Sequence, residues 1–232
     1  MRVLQQEFEI FKALSAAGEN RFELSWGKKQ PCLDDKTAGT DFDRHYVYHT
    51  AWAARQLQKY MPEKHTDISS SLYFAGIVSA FVPVDFYDFR PADIILDNLA
   101  ASAANLLSLP FIDNSLASLS CMHVVEHIGL GRYGGPLDPE GDLKAINELK
   151  RVLAPGGLLL FVAPVGKPQI RFNAHRIYAY KQVVEYFKEL ELVDFALIPD
   201  DKNDGGLVYN PSSHLLSKQS YGCGCFAFRK GG

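Results

Sequence analysis

The chain reads as an α/β protein: a mostly parallel sheet of seven strands with a reversed last strand and helices on both faces. Three observations predict it. From residue 64 onward, short apolar runs alternate with segments of helical periodicity, the pattern of a parallel sheet joined by crossover helices. Residues 109–166 hold a complete strand, helix, strand unit with polar residues at the strand ends, where such sheets place ligands. Two late strand-like runs, with no helical pattern between them, predict an antiparallel pair.

Residues 1–60 read as a helical N-terminal extension to a domain over 61–232. Phe8, Phe11 and Leu14 share a helix face, and residues 51–60 are rich in helix formers. Between them, GKKQPCLDDKTAGTDFD is loop-like, a solvated connection. The strands are expected at 66–69, 82–88, 94–96, 116–121, 158–162, 192–198 and 223–228.

The first strand runs into Asp67-Ile68-Ser69-Ser70-Ser71-Leu72-Tyr73, where free backbone N–H groups can bind polar ligand groups and a serine can cap a helix. The second ends in Tyr87-Asp88-Phe89-Arg90. A carboxylate there can accept two hydrogen bonds from ribose hydroxyls, pair with Arg90 or cap a helix.

His123, Glu126 and His127 follow the fourth strand, placing His123 and His127 either as candidate general bases for a substrate hydroxyl or as architectural residues of the strand end. The glycine-rich stretch 129–142 is long for a connection inside an α/β unit, as lids and binding loops are. In it, Arg132 suits a carboxylate or phosphate and Tyr133 a sugar ring. Asp138, Glu140 and Asp142 lack the other ligands of a calcium loop, so no metal site is read there, and Asp142 is expected to cap the next helix.

That helix, 142–153, aligns Leu143, Ile146, Leu149, Val152 and Leu153 on one face. Pro155-Gly156-Gly157 is expected to stop it and turn the chain into the apolar run 158–162, a strand buried on both faces. His175 and Arg176, past the fifth strand, are candidates for the acceptor side of a cleft, His175 as a third candidate catalytic histidine, or for a polar helix start. Residues 178–190 form an amphipathic helix with Val183, Val184, Phe187 and Leu190 in register. Cys223-Gly224-Cys225 points two thiols to one face; without a further Cys or His pair they are expected as buried strand cysteines, not a zinc site.

With 232 residues, 47% of them apolar, the chain can bury one well-packed domain. Its 24 basic and 27 acidic residues give a net charge of −3, which offers nucleic acid no basic face. A small-molecule or neutral glycan substrate fits better. No window holds the roughly 20 apolar residues that span a bilayer, and no signal peptide is read at the start. The four scattered cysteines do not make a disulfide scaffold, so a reducing cytoplasm is expected. Nothing in the sequence fixes an oligomeric state.

The stretch LPFIDNSLASLSCMHVVEH followed by ELKRVLAPGGLLLFVAPV resembles the second half of a class I S-adenosylmethionine-dependent methyltransferase, and the likeness extends over about 64–230. DFDRHYVYHTAWAARQ, EHIGLGRYGGPLDPEGD, FNAHRIYAY and YGCGCFAF are similar, more narrowly, to a bacterial group known as the domain of unknown function 268 family. The resemblance implies a Rossmann-like methyltransferase fold and S-adenosylmethionine as cofactor. It assigns cofactor contacts to Asp67, Ser69, Ser71 and Asp88, and, counting back from Leu109-Pro110-Phe111, to Asn105 in place of an adenine-contacting acid and to Leu106. The acceptor is expected to be a small polar molecule, a sugar hydroxyl in surface-glycan assembly among the candidates, faced by His127, Arg132, Tyr133, His175 and Arg176.

The family's usual glycines, however, are matched by Ser69, Ser71 and Tyr73. Two alternatives follow: a methyltransferase-fold binding or scaffolding module without cofactor, in which Tyr73 fills the cleft, or a site for another nucleotide or nucleotide-sugar.

Overall fold

The computed structural model describes residues 1–16, 18 and 21–232. They divide into two compact units, Met1–Phe42 and Asp43–Gly232. The first carries helix α1 (Arg2–Ala16), which buries no residue, and a single helical turn at Trp26–Lys28 capped by the Ser25 hydroxyl.

The second unit is built on an eight-stranded sheet. Its strands are β1 (His65–Ile68), β2 (Val84–Asp88), β3 (Leu99–Ala103), β4 (Leu116–Met122), β5 (Leu153–Val165), β8 (Leu190–Ile198), β9 (Val208–Tyr209) and β10 (Gly222–Lys230). The order is β3-β2-β1-β4-β5-β10-β8-β9. Strands β1 to β5 pair parallel, while β10 runs antiparallel between β5 and β8. The expected mostly parallel sheet with a reversed last strand is present, and the two-residue β9 at its edge adds the eighth strand. A separate hairpin pairs β6 (Gln169–Arg171) with β7 (His175–Ile177).

Helices cover both faces. On one lie α2 (Arg44–Tyr60) and α3 (Leu72–Val78); on the other, α4 (Gly141–Val152) and α5 (Tyr180–Tyr186). Helix α2 starts where the Asp43 carboxylate accepts the Tyr46 N–H at 3.0 Å and stops at Met61, which is left-handed at φ 43°. It buries His49, Trp52, Ala53, Gln56 and Leu57, an unbroken helical stripe. Asp194 of β8 accepts from Trp52 Nε1 at 2.9 Å and Gln56 Nε2 at 2.8 Å, so this helix is part of the sheet unit.

Four local expectations are corrected. The third strand is Leu99–Ala103, not 94–96: the turn at Asn98, with φ 59°, precedes it, and Ile95 stands 97% exposed. Pro155-Gly156-Gly157 does not turn the chain between helix and strand. It is a bulge inside β5, where Leu153 pairs with Leu116 and Leu158 already with Ser118. The helix expected at 178–190 spans only Tyr180–Tyr186, and Leu190 begins β8. A helix, α6 (Ser213–Lys218), does lie between the two late strands.

Strand β10 explains the Cys-Gly-Cys pattern. Cys223 and Cys225 face the α2 side of the sheet, whereas Phe226 and Phe228 face the α4 side. A Cβ on Gly224 would meet the Phe226 ring at 2.6 Å and Val165 Cγ1 at 2.7 Å, so only glycine fits between the thiols.

Trp52 is fully buried and bonded to Asp194. Trp52→Ala should lower stability by about 3–5 kcal/mol, read as a drop in the urea midpoint at unchanged slope. A change under about 1 kcal/mol would mean α2 is not packed as described.

Candidate functional site

The sheet order reverses between β1, whose other neighbour is β2, and β4, whose other neighbour is β5. Ligands of open α/β sheets bind at such a switch point, beyond the carboxyl ends of the strands. A cavity of about 350 Å³ lies there, within the roughly 300–1,000 Å³ of small-molecule sites. Ser69, Ser70, Asp88, Asn105 and Leu106 line one part of it; Tyr46, His123, His127, Arg132 and Tyr133 line another.

The turn after β1 keeps a glycine-like course although it carries serines. Ser69 is left-handed at φ 56°, a conformation glycine adopts without strain. Its N–H and its hydroxyl both donate to the Tyr87 carbonyl, at 2.7 and 3.1 Å, which holds it there. Tyr73 is 86% exposed on α3 and stays out of the cavity, contrary to the cofactor-free alternative, which needs it packed inside.

Asp88 ends β2 at the cavity wall. Its Oδ1 accepts the Arg90 backbone N–H at 2.7 Å, while Oδ2 has no hydrogen-bond partner among the described residues. The Arg90 guanidinium lies instead over the Tyr133 ring, 5.1 Å from its centroid, so Asp88 keeps an oxygen for a ligand. Asn105 Oδ1 accepts the Leu107 N–H at 3.0 Å in a local turn, with one lone pair left over.

Asp67 and Ser71 are not in the wall. Ser71 is the residue preceding α3, and Asp67 is fully buried beneath the turn, bonded by the Ser120 hydroxyl. Burial pushes the Asp67 carboxyl up to about 7 against its hydrogen bonds from Ser120 and Ser70.

At the end of β4 the chain turns through His123, left-handed at φ 58°. His123 Nδ1 lies 2.8 Å from Glu126 Oε1 and Nε2 lies 3.4 Å from Cys223 Sγ. Since the carboxylate side is the better acceptor, Nδ1 carries the proton and Nε2 the lone pair. Burial holds His123 down to about 4 and pushes Glu126 up to about 7. His127 Nδ1 donates to the Ala174 carbonyl at 2.6 Å, leaving Nε2 unprotonated, and burial lowers its basicity.

The loop over the cavity is anchored rather than loose. Gly129 sits at φ 80°, and a Cβ there would reach the Asp138 carbonyl oxygen at 2.0 Å. Arg176, expected to face an acceptor, is 4% exposed and bonds the loop instead: Nη1 donates to Ile128 O at 2.5 Å, Nη2 to Pro139 O at 3.2 Å, and Nε lies 3.5 Å from Asp142 Oδ2. Asp142 is thus no helix cap; it sits in the first turn of α4 and also accepts from the Tyr178 hydroxyl at 3.0 Å. His175 lies outside the wall as well, its ring 4.9 Å from that of Tyr221. Tyr133 is held between Arg90 and Arg132, at 5.1 and 5.0 Å.

Sequence reasoning missed Tyr46 and His45. Both stand on α2, far from the motifs in sequence, and the rings of both stack on His123, at 5.7 and 5.6 Å. Helical spacing from His49 places them near one face, but nothing local says which strand that face covers.

A family described as Caenorhabditis protein of unknown function, DUF268, matches residues 111–198. Its description names Caenorhabditis where the sequence pointed to a bacterial group. An uncharacterized protein of Methanocaldococcus jannaschii is 31% identical over 117 residues, 49% of this chain and 40% of that protein, so the match spans two-fifths of that relative's length. Among solved structures, the YcgJ protein of Bacillus subtilis is similar with a TM-score of 0.55 at 16% identity, over 80% of this chain and 99% of that one. A putative sarcosine dimethylglycine methyltransferase from Galdieria sulphuraria gives 0.56 at 15%, over 80% and 86%. The 1,6-didemethyltoxoflavin-N1-methyltransferase of Burkholderia thailandensis, solved with bound S-adenosylhomocysteine, gives 0.54 at 9%, over 79% of each chain. At these identities the likeness is one of fold, and the fold is the Rossmann-like methyltransferase fold.

Two outcomes can be measured on this site. His45 and His123 are held down to about 4 and His49 and His65 to about 3, mainly by burial, whereas Asp67 and Glu126 are pushed up to about 7. Between about pH 4.5 and 6.5 the unfolded chain therefore gains protons on four imidazoles and lacks them on two carboxyls, a net excess of about two protons. Stability should fall as pH drops through this window, and a urea midpoint that rises instead would contradict the burial of the histidines. Arg176→Met should cost about 3–5 kcal/mol by leaving Asp142 without its cation, with faster proteolytic cleavage within 129–141. Unchanged cleavage would show the loop is held by other contacts.

Proposed function

We propose that this protein is an S-adenosylmethionine-dependent methyltransferase acting on a small polar acceptor, for which a sugar hydroxyl fits the aromatic wall of Tyr46 and Tyr133. The observation that carries the reading is Asp88: a carboxylate at the end of the second strand, at the switch point, with one oxygen unengaged among the described residues. Ser69 supports it by keeping a left-handed backbone where the resemblance puts a glycine, and Tyr73 by leaving the cavity clear.

In this reading the bound cofactor supplies an electrophilic methyl group on a sulfonium. Asp88 accepts hydrogen bonds from its ribose, Ser69 and Ser70 line the turn beside it, and Asn105 and Leu106 bound the adenine side. Direct displacement asks mainly for an aligned acceptor, so the protein's work is positioning and keeping water out. The neutral His127, its Nδ1 tied to Ala174, presents Nε2 to take the proton of a hydroxyl acceptor. Burial first, and Arg132 at 3.4 Å from that nitrogen to a lesser degree, oppose its protonation at rest, while Glu126 favours it. His123 lines the wall beside it. A reducing compartment, the cytoplasm, fits the free thiols of Cys223 and Cys225, two residues apart on one strand face. No helix among the described residues is long and apolar enough to cross a membrane.

S-adenosylhomocysteine at about 100 times its dissociation constant should stabilise the protein by about 2.7 kcal/mol, a melting shift of about 5–10 °C. Asp88→Ala should weaken that binding about 10- to 100-fold. No shift at millimolar ligand, or a shift given by nucleotide-sugars alone, would overturn the assignment.

A further inference from the structure

Three side chains from distant parts of the chain converge beside the cavity: His45 in the first turn of α2, His123 just past β4, and Cys223 near the start of β10. Their candidate ligand atoms lie within 4.8 Å of one another, and His123 Nε2 is 3.4 Å from Cys223 Sγ. A tetrahedral zinc ion, with Zn–N of about 2.0–2.1 Å and Zn–S of about 2.3 Å, separates two such ligands by about 3.5 Å. One pair is thus already at coordination distance. Closing the third ligand, His45, in takes a movement of about 1.5 Å at most, at a side chain that is partly exposed and stacked between the His123 and Tyr221 rings.

Two further features distinguish this cluster from ordinary packing. The opposite nitrogen of His123, Nδ1, is bonded at 2.8 Å to Glu126, a carboxylate whose side chain is 1% exposed. Metal-binding histidines are oriented by such a carboxylate, which fixes the tautomer with the lone pair toward the metal. Glu126 Oε2 is buried without a hydrogen-bond partner among the described residues. A buried carboxyl whose second oxygen lacks a hydrogen bond is costly, and a nearby dication offsets that cost. The second feature is the left-handed backbone of His123, φ 58°, strain of the kind that survives where a side chain must be aimed.

We propose that His45, His123 and Cys223 form a zinc site, with the fourth coordination position left for water or for an acceptor group entering from the cavity. On binding, the Cys223 S–H bond breaks and a Zn–S bond forms, the proton leaving to solvent, while each imidazole contributes a nitrogen lone pair. Asp43 and Asp200 add negative potential near His45, opposed by Arg44. Three protein ligands and one open position match the donor count of catalytic zinc, and imidazole with thiolate selects zinc over magnesium or calcium. A role in polarising the acceptor rests on the methyl-transfer reading; the site itself does not.

The test uses the full chain carrying Cys32→Ser, to remove the exposed thiol, stripped with chelator and titrated with Co²⁺ as a spectroscopic stand-in for zinc. One Co²⁺ per chain is expected, with the strong visible bands of tetrahedral coordination and a thiolate-to-cobalt charge-transfer band, all displaced by stoichiometric Zn²⁺ and untouched by millimolar Mg²⁺. Cys223→Ser should remove the charge-transfer band. His45→Ala, at a partly buried position chosen so that the fold survives, should weaken binding more than about a hundredfold, and Glu126→Gln about 10- to 100-fold. Asp88→Ala should leave the cobalt spectrum intact while losing S-adenosylhomocysteine, which separates failure of the metal site from failure of the cofactor site. No Co²⁺ bound at micromolar concentration, or a spectrum unchanged in both Cys223→Ser and His45→Ala, would overturn the proposal.

Discussion

The arrangement around the cavity depends on one hydroxyl. Ser120 on β4 donates to Asp67 on β1, and its oxygen lies 2.8 Å from His65 Nε2; His65 Nδ1 in turn lies 2.7 Å from the Ser118 hydroxyl. With Ser120 donating to the carboxylate, its oxygen accepts from His65 Nε2–H, and His65 Nδ1 accepts from Ser118. The row therefore runs in one direction, with His65 neutral. All four groups are buried, so any slip of β1 along β4 would strand them without partners. That requirement fixes Asp67 opposite Ser120 and Thr66 opposite Leu119, which is the register of the switch point itself.

Everything at the cavity hangs from the strand ends so aligned. Ser69 and Ser70 continue β1, His123 continues β4, and Ser70 Oγ accepts the Met122 N–H at 3.0 Å, closing the gap between the two turns. The opposite side of the wall comes from other segments: α2 brings Tyr46, with His45 behind it stacked on His123, and the 129–141 loop brings Arg132 and Tyr133. Arg176 makes that loop a fixed part of the wall by occupying its carbonyls from the β6–β7 hairpin. Two parts thus meet in one cavity, one dictated by the sheet and one by helix and loop.

Those two parts differ in how far the sequence discloses them. The α4 and β5 segment was legible because a helical stripe followed by an apolar run suits little besides a crossover helix feeding a buried strand. Asp88 was legible because its strand is β-branched and aromatic with a polar end. Strand β3 was not, since Leu-Ala-Ala-Ser-Ala offers no period and only its first residue is buried, while the apolar Ile95 beside it lies in solvent. Arg176 read as a ligand-facing cation because an unpaired arginine after a strand gives no hint that backbone carbonyls surround it. His45 was illegible for a different reason: its meaning is its distance from His123 and Cys223, and that distance exists only after α2 has docked on β8 and β10.

Ser69 carries a consequence beyond its backbone angle. Because its N–H and hydroxyl both end on the Tyr87 carbonyl, the turn after β1 and the tip of β2 are joined into one rigid body, with Asp88 the next residue along. A glycine could supply only the N–H. Ordering a flexible phosphate-loop-like turn at the moment of binding would subtract from affinity, about 1–2 kcal/mol for each residue fixed. In this chain that entropy has been given up during folding, so a ligand meets a preorganised surface, and exchange of ligands should proceed without the turn melting and reforming around each one.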